Sequence, residues 1–547
     1  MAVTLDLADI QGNILSAYGK LGFPKGRVIT LHVSKPASGR KFVSELLPGI
    51  TTALRWESRR KPSPPGTVEV KRPDVAVNIA FSFYGLLALG VPTRTLRGMP
   101  DEFIDGMMKR APMLGDTFAP NQKDNWDEVW KAGEHDPVTN PKTVHILITL
   151  NAQMKDDGTP FPALEATTRR IETLCQTIGG VEILRGHGRP AGPYQELSAI
   201  TIRQPDGKVV PCPKEHFGYT DAIGDPVFEG EFPGRVERAD ARGNGAFDGA
   251  GKWRPLATGE FVLGYPDEAQ ETSGTDIPLA FSRNGTFMAY RKLHQNVAAF
   301  RSFLETAGAQ LAQVWGLPPG DAGPMLAGKM AGRWPDGVPM ELAPTVADWD
   351  KFNKRYPDPD PKLDPKENQK RYAAREQALI DFRYNGDTQG LRCPLTAHIR
   401  RINTRDMLAP RAADGSVLNN RRRILRRGLP YGESPPDVSD AAEHGVVMLI
   451  VCASLFRQYE FVQQQWLNYG LDSNAGNDTC PIVGNHATGT GKEPKAKFVI
   501  ASDPKTGRPP FIVEGLPQFV ETRGGEYFFV PSMTALRMIG MGTVDPT

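Results

Sequence analysis

At 547 residues the chain is too long for one small core, and at roughly 100–200 residues per domain it predicts two or more domains or one large compound fold. A 39% hydrophobic and 23% charged content excludes a disordered chain, and 65 Lys+Arg against 63 Asp+Glu leave a net charge of +2, which excludes a general polyanion-binding bias. Glycine (56) and proline (48) make up about a fifth of the residues against the usual ~12%, so long loops are expected.

The first ten residues carry acids and no basic segment before an apolar run, so no signal peptide and a cytoplasmic location are expected, with export by an unusual route left open. Apolar or alternating β-branched stretches predict strands over 27–33, 75–83 and 143–150. A helix is predicted over 101–108, after Pro100. Another is predicted over 162–178, with Leu164, Thr167, Ile171, Leu174 and Ile178 near one face. A second set follows: strand 197–203, helix 296–314, strand 446–453 and helix 455–467. Two α+β halves result, 1–205 and 206–547, divided at the Gly/Pro/Lys-rich stretch 204–215. Two polar insertions stand out in the second half. Residues 350–377 hold Pro357-Asp-Pro-Asp-Pro361 and predict a surface excursion with a helix over 366–382. Residues 474–497 have few apolar anchors beyond Ile482 and Val483 and predict a mobile loop. The uncharged stretches 75–93 and 445–456 are too interrupted or too short to span a membrane.

Five cysteines, odd in number and not at metal spacing, argue against a disulfide scaffold or a zinc site. Gly489-Thr-Gly-Lys492 lacks the earlier glycine and the following Ser/Thr of a phosphate loop, because positions 486 and 493 are His and Glu. The nine histidines do not pair at ligand spacing, which leaves open a single axial histidine on a metal already held by a macrocycle. His398 is a candidate. In a helix from about Pro394, Ile402 would share its face and Arg405 would lie two turns on, offering an imidazole to an iron and a guanidinium to a propionate. An ordinary structural histidine is the alternative. Nine arginines between His398 and Arg427 face only Asp406 and Asp414, so they form either a solvated, nucleic-acid-binding face or an inward cluster for a multiply charged ligand.

Glu215-His-Phe-Gly-Tyr-Thr-Asp-Ala-Ile-Gly-Asp-Pro226 resembles the GxxDG signature of dye-decolourising peroxidases. Blocks at 259–268, 284–293, 397–405 and 424–432 resemble that family's in the same order, and Asp9-Ile-Gln-Gly-Asn-Ile-Leu15 and 525–536 resemble its two ends. The resemblance covers nearly the whole chain and is nearest the longer fungal and actinobacterial members. It implies an α+β fold of two ferredoxin-like halves with facing antiparallel sheets, of the dimeric α+β barrel type, with one haem b in the C-terminal half. It makes His398 the proximal iron ligand, Arg405 a propionate partner, Asp221 the distal acid–base residue and Arg426 the distal arginine. The implied reaction uses H2O2 to oxidise dyes, phenolics or related aromatics through a ferryl intermediate and one-electron steps. A carboxylate is expected to accept from the second nitrogen of His398. Nucleic acid and membrane are not expected partners.

One departure is Ala222, where the signature has glycine. Either the loop has negative φ there and the methyl fits, or Asp221 is displaced. The second case keeps alive a haem-handling protein with weak peroxidase activity, and the arginine run keeps alive a nucleic-acid-binding protein.

Overall fold

β-Branched and aromatic residues line nine strands: β1 (Lys25–Val33), β2 (Val75–Phe81), β3 (Ile146–Ala152), β4 (Val181–Ile183), β5 (Gln195–Ser198), β6 (Thr286–Gln295), β7 (Leu425–Tyr431), β8 (Gly445–Cys452) and β9 (Val520–Val530). They form one antiparallel sheet in the order β7-β8-β6-β9-β2-β3-β1-β4, with β5 also paired to β1. The computed structural model describes residues 3–57, 68–117, 121–131, 135–231, 241–274, 277–360, 363–409, 411–486 and 496–544. The Gly489–Lys492 tetrapeptide lies outside them.

Each half of the sheet repeats one plan. In the first, β1 leads through helix α1 (Pro36–Leu46) to β2 and β3, then through α2 (Pro162–Ile178) to β4. In the second, β6 leads through α3 (Val297–Trp315) to β7 and β8, then through the π-helical turns Leu455–Glu460 and Val462–Leu467 to β9. The orders β2-β3-β1-β4 and β7-β8-β6-β9 are the same ferredoxin-like arrangement twice, as the α+β expectation required. The expected pair of sheets is a single sheet here, which curls until β7 packs against β5. Proline at its first turn starts α2, and Leu164, Thr168, Ile171 and Cys175 form its buried stripe. The predicted helix over 101–108 breaks at Gly106, whose φ of 75° ends one helix, Asp101–Asp105, and begins another, Met107–Leu114.

The seam between the halves is thin: β9 and β2 pair through Phe529 and Phe81. A side chain extends it. Gln11 accepts from Ile79 N (2.9 Å) and donates to the carbonyls of Ile79 (2.9 Å) and Pro531 (2.8 Å), so its amide acts as an extra backbone unit between the two strands. Asp9 caps the last helix by accepting from Thr534 N (2.7 Å) and also accepts from Asn284 (2.8 Å). The Asp-Ile-Gln-Gly stretch therefore ties the chain's beginning to its end.

The excursion expected at 350–377 is more structured than its composition predicts. Helices α4 (Pro319–Ala331), α5 (Val346–Arg355) and α6 (Pro365–Ile380) enclose their own apolar cluster, in which Trp334 and Trp349 stack at 4.4 Å.

β6 was not predicted as a strand because Arg291, Lys292 and His294 interrupt it, yet all three are buried. Lys292 reaches Asp127 at 2.7 Å and also Glu443. Arg291 makes a fork to Asp116 at 2.5 and 2.9 Å and donates to Thr522 at 2.9 Å. Asp116 and Asp127 belong to the first half, so these pairs join the halves below the seam. Removing one partner leaves a buried uncompensated charge. Asp116→Ala is therefore expected to lower stability by about 3–5 kcal/mol in urea denaturation, and Asp116→Ala with Arg291→Met to recover most of that loss.

Candidate functional site

A cavity lies between strands β6–β9, the π-helical turns, the loop over 215–226 and helix α7 (His398–Ile402). All four residues singled out from the sequence line it: Asp221, His398, Arg405 and Arg426. Leu293, Ile402, Val446, Ile450, Leu467 and Ile482 make much of the wall apolar.

His398 opens α7. That helix starts four residues later than expected from Pro394, with Ala397 as its cap, and it ends at Ile402. The ring Nδ1 lies 3.3 Å from Cys480 Sγ, and among the described residues Nε2 has no protein partner. Burial, reinforced by Arg426, holds the ring down to about 4, so it is a neutral imidazole with a lone pair available. The expected carboxylate partner is thus a sulfur.

Glu215 shapes the next loop by accepting from Phe217 N and Tyr219 N, both at 2.9 Å, and Asp221 N donates to Pro213 O at 2.8 Å. Asp221 Oδ1 then accepts from Arg426 Nη1 at 3.0 Å. The expectation of a negative φ at Ala222 does not hold. Its φ is +63°, so it takes the left-handed turn that glycine would take, and Asp221 is paired with Arg426. Arg426 also donates to Ile223 O at 3.3 Å.

Arg405 reaches the cavity by a different route from the one predicted. It lies beyond the end of α7 with φ +50°, so a left-handed turn and not helical spacing brings it in. Its Nη1 donates to the carbonyls of Gly243, Ile380 and Phe382, and its guanidinium lies 3.8 Å over the Phe382 ring. Its Nε and Nη2 are buried and, among the described residues, have no partner.

Two further arginines in the wall escaped the sequence reading. Among the described residues Arg333 donates only to the carbonyls of Gly337 and Leu379, and Arg423 only to those of Asn244 and Gly245. Burial first, and Arg405 second, push Arg333 and Arg423 down to about 9; burial alone pushes Arg405 down to about 10. Three guanidiniums therefore share one wall with carbonyl oxygens but no bonded carboxylate. Arg423 lay within the arginine run; nothing local to Arg333 marked it.

Of the nine arginines of that run, Arg411 is the one exposed. Arg400 is held by Asp387 (2.9 Å), Arg421 by Asp267 (2.9 Å) and Arg427 by Asp225 (2.8 Å). The run faces inward, contrary to the nucleic-acid alternative. Residues 474–486, expected within a mobile loop, are also part of the site: Ile482, Val483 and Asn485 line the cavity and Cys480 meets His398.

This donor set fits a large, mostly apolar ligand with a metal and anionic arms. Among the described residues no cluster of three His, Cys, Asp or Glu can hold a metal, so a metal at His398 must bring its other ligands with it. The orphaned donors of Arg405 match a carboxylate. A second cavity, lined by Tyr18, Asn151, Cys212 and Lys214 among others, shares Asp221, Arg426, Val446 and Met448 with the first, so the acid–arginine pair forms part of the partition between them.

Comparison with known proteins gives a consistent picture. The DyP dimeric alpha+beta barrel domain model matches residues 9–190. Peroxidase 2 of Mycetinis scorodonius is 27% identical over 563 residues, covering 98% of this chain and 88% of that protein. Multifunctional dye peroxidase DyP2 of Amycolatopsis sp. is 30% identical over 401 residues, 69% of each. A dye-decolorizing peroxidase solved in complex with 2,6-dimethoxyphenol matches with a TM-score of 0.67 at 23% identity, covering 98% of this chain and 100% of that one.

The left-handed Ala222 makes a direct prediction. Glycine relieves about 1–2 kcal/mol of backbone strain but costs about 0.5–1 kcal/mol in chain entropy. Ala222→Gly should therefore raise stability in urea by up to about 1 kcal/mol, whereas the β-branched Ala222→Val should lower it by more than about 1 kcal/mol. A glycine variant less stable than the parent would show that position 222 is not left-handed in solution.

Proposed function

This chain belongs to the dye-decolourising peroxidase family, and from that premise we propose that it is a haem b peroxidase that uses H2O2 to oxidise dyes, phenolics and related aromatic molecules, with His398, Arg405, Asp221 and Arg426 as its working residues. The observation that carries the reading is their meeting in one cavity, each with a free or suitably paired polar atom. The phenolic substrate class is supported by the 2,6-dimethoxyphenol complex of the relative.

His398 would offer Nε2 to the iron, and an Nε2 ligand would carry its proton on Nδ1, toward Cys480. Arg405 would hold a propionate with the two donors left unpaired among the described residues, and Arg333 and Arg423 supply further positive charge to the same wall. The haem, when bound, supplies the centre that exchanges electrons with peroxide and with the reductant. The remaining steps are proton transfers. Asp221, paired with Arg426 and 45% exposed, can take a proton from one peroxide oxygen and return it to the other. Arg426 donates to negative charge as it develops on those oxygens, and its fixed fork needs no proton transfer of its own. The partition between the two cavities places this pair where small reactants have two sides from which to arrive.

Reconstitution with haemin and absorption spectroscopy test the reading. The wild type should give a Soret band and decolourise an anthraquinone dye with H2O2. His398→Ala should lose the iron ligand's spectral signature, and Arg405→Leu should release haem more readily. Asp221→Asn should keep the Soret band while turnover falls by about 10²–10⁴-fold, and Arg426→Leu should lower it by about 10²–10³-fold. A protein that takes up no haemin, or distal variants with full activity, would overturn it.

A further inference from the structure

Helix α7 and the segment that holds Cys480 are clamped together by side chains that have no other evident task. Arg401, on the same short helix as His398, donates to Trp466 O at 2.9 Å and to Asp478 O at 2.7 Å. Cys480 N donates to Leu467 O at 2.7 Å, and Cys480 O accepts from Gly484 N at 3.0 Å and lies 2.9 Å from His486 Nε2. His486 is itself anchored by its N–H to Gln518 at 2.8 Å. The fully buried Cys480 thiol is thereby fixed beside the His398 ring, and among the described residues no carboxylate bonds that ring.

Resting on the ligand role of His398, we propose that Cys480 is the positioning residue for that histidine: its sulfur accepts the Nδ1 proton and fixes the ring as a neutral donor of moderate strength. An Nε2 ligand forces the proton onto Nδ1, so the contact at 3.3 Å is an N–H···S hydrogen bond. Histidine ligands ordinarily donate that proton to a carboxylate, carbonyl or water, and a carboxylate raises ligand basicity strongly. Sulfur is a weak acceptor and withdraws the proton less. The ring then donates less charge to the iron, which favours the reduced metal and raises its potential.

The test uses haemin-loaded full-length protein, with redox titration and resonance Raman spectra of the ferrous state. Cys480→Asp should lower the ferric/ferrous midpoint potential and shift the iron–imidazole stretching band upward. Cys480→Ala, which removes the acceptor, should shift that band downward. Should Cys480→Asp fail to fold, the alanine variant decides alone. An unmoved band in the variants that fold would overturn the positioning role while leaving the ligand role intact. A wild type with no iron–imidazole band would overturn the ligand role and this inference with it.

Discussion

An ionised side chain cannot be taken out of water without an opposite charge or a full set of hydrogen-bond partners, and this protein buries an unusual number of cations. Of the ten buried lysines and arginines among the described residues, half have a carboxylate. Arg291 with Asp116, Lys292 with Asp127 and Arg110 with Glu460 join the two halves of the sheet, and Arg427 with Asp225 fixes strand β7. Among the described residues the other five bond only carbonyls; Lys329 and Arg401 lie away from the cavity, whereas Arg333, Arg405 and Arg423 line it, and Arg405 has two donors left over. The same rule thus explains how the halves are stapled and where an anionic ligand belongs.

Legibility from sequence followed that division. Strands β1, β2 and β3 are apolar and β-branched, so their period and length were sufficient. In the second half, β6 carries Arg291, Lys292 and His294, and β7 carries two arginines, a glycine and a proline. Neither reads as a strand, because the partners that neutralise their charges lie more than 100 residues away. β9 was missed as well, its pattern broken by Thr522-Arg-Gly-Gly525.

For the site, motif resemblance named four residues that line one cavity, but local geometry did not follow from spacing. Arg405 was assigned near a helical face and arrives through a left-handed turn; of the two readings offered for Ala222, negative φ or a displaced Asp221, the first fails, because the residue is left-handed. The polar segment after residue 474 was expected to be a mobile loop because it has few apolar anchors. Its anchors are instead hydrogen bonds, from Arg401 to Asp478 O and from Gln518 to Gly484 O at 3.0 Å. A composition-based reading has no access to bonds of that kind.

The strand order has a consequence for how the protein is made. β9 sits in the middle of the sheet, between β6 and β2, yet it ends at Val530, close to the end of the chain. While the polypeptide emerges from the ribosome, β2 and β6 both present open edges, and only β9, made after both, covers them. Gln11 and Asp9 likewise wait for Pro531 and Thr534, which follow β9. The sheet is therefore closed by its last strand, and until β9 is made the two halves remain separate half-sheets.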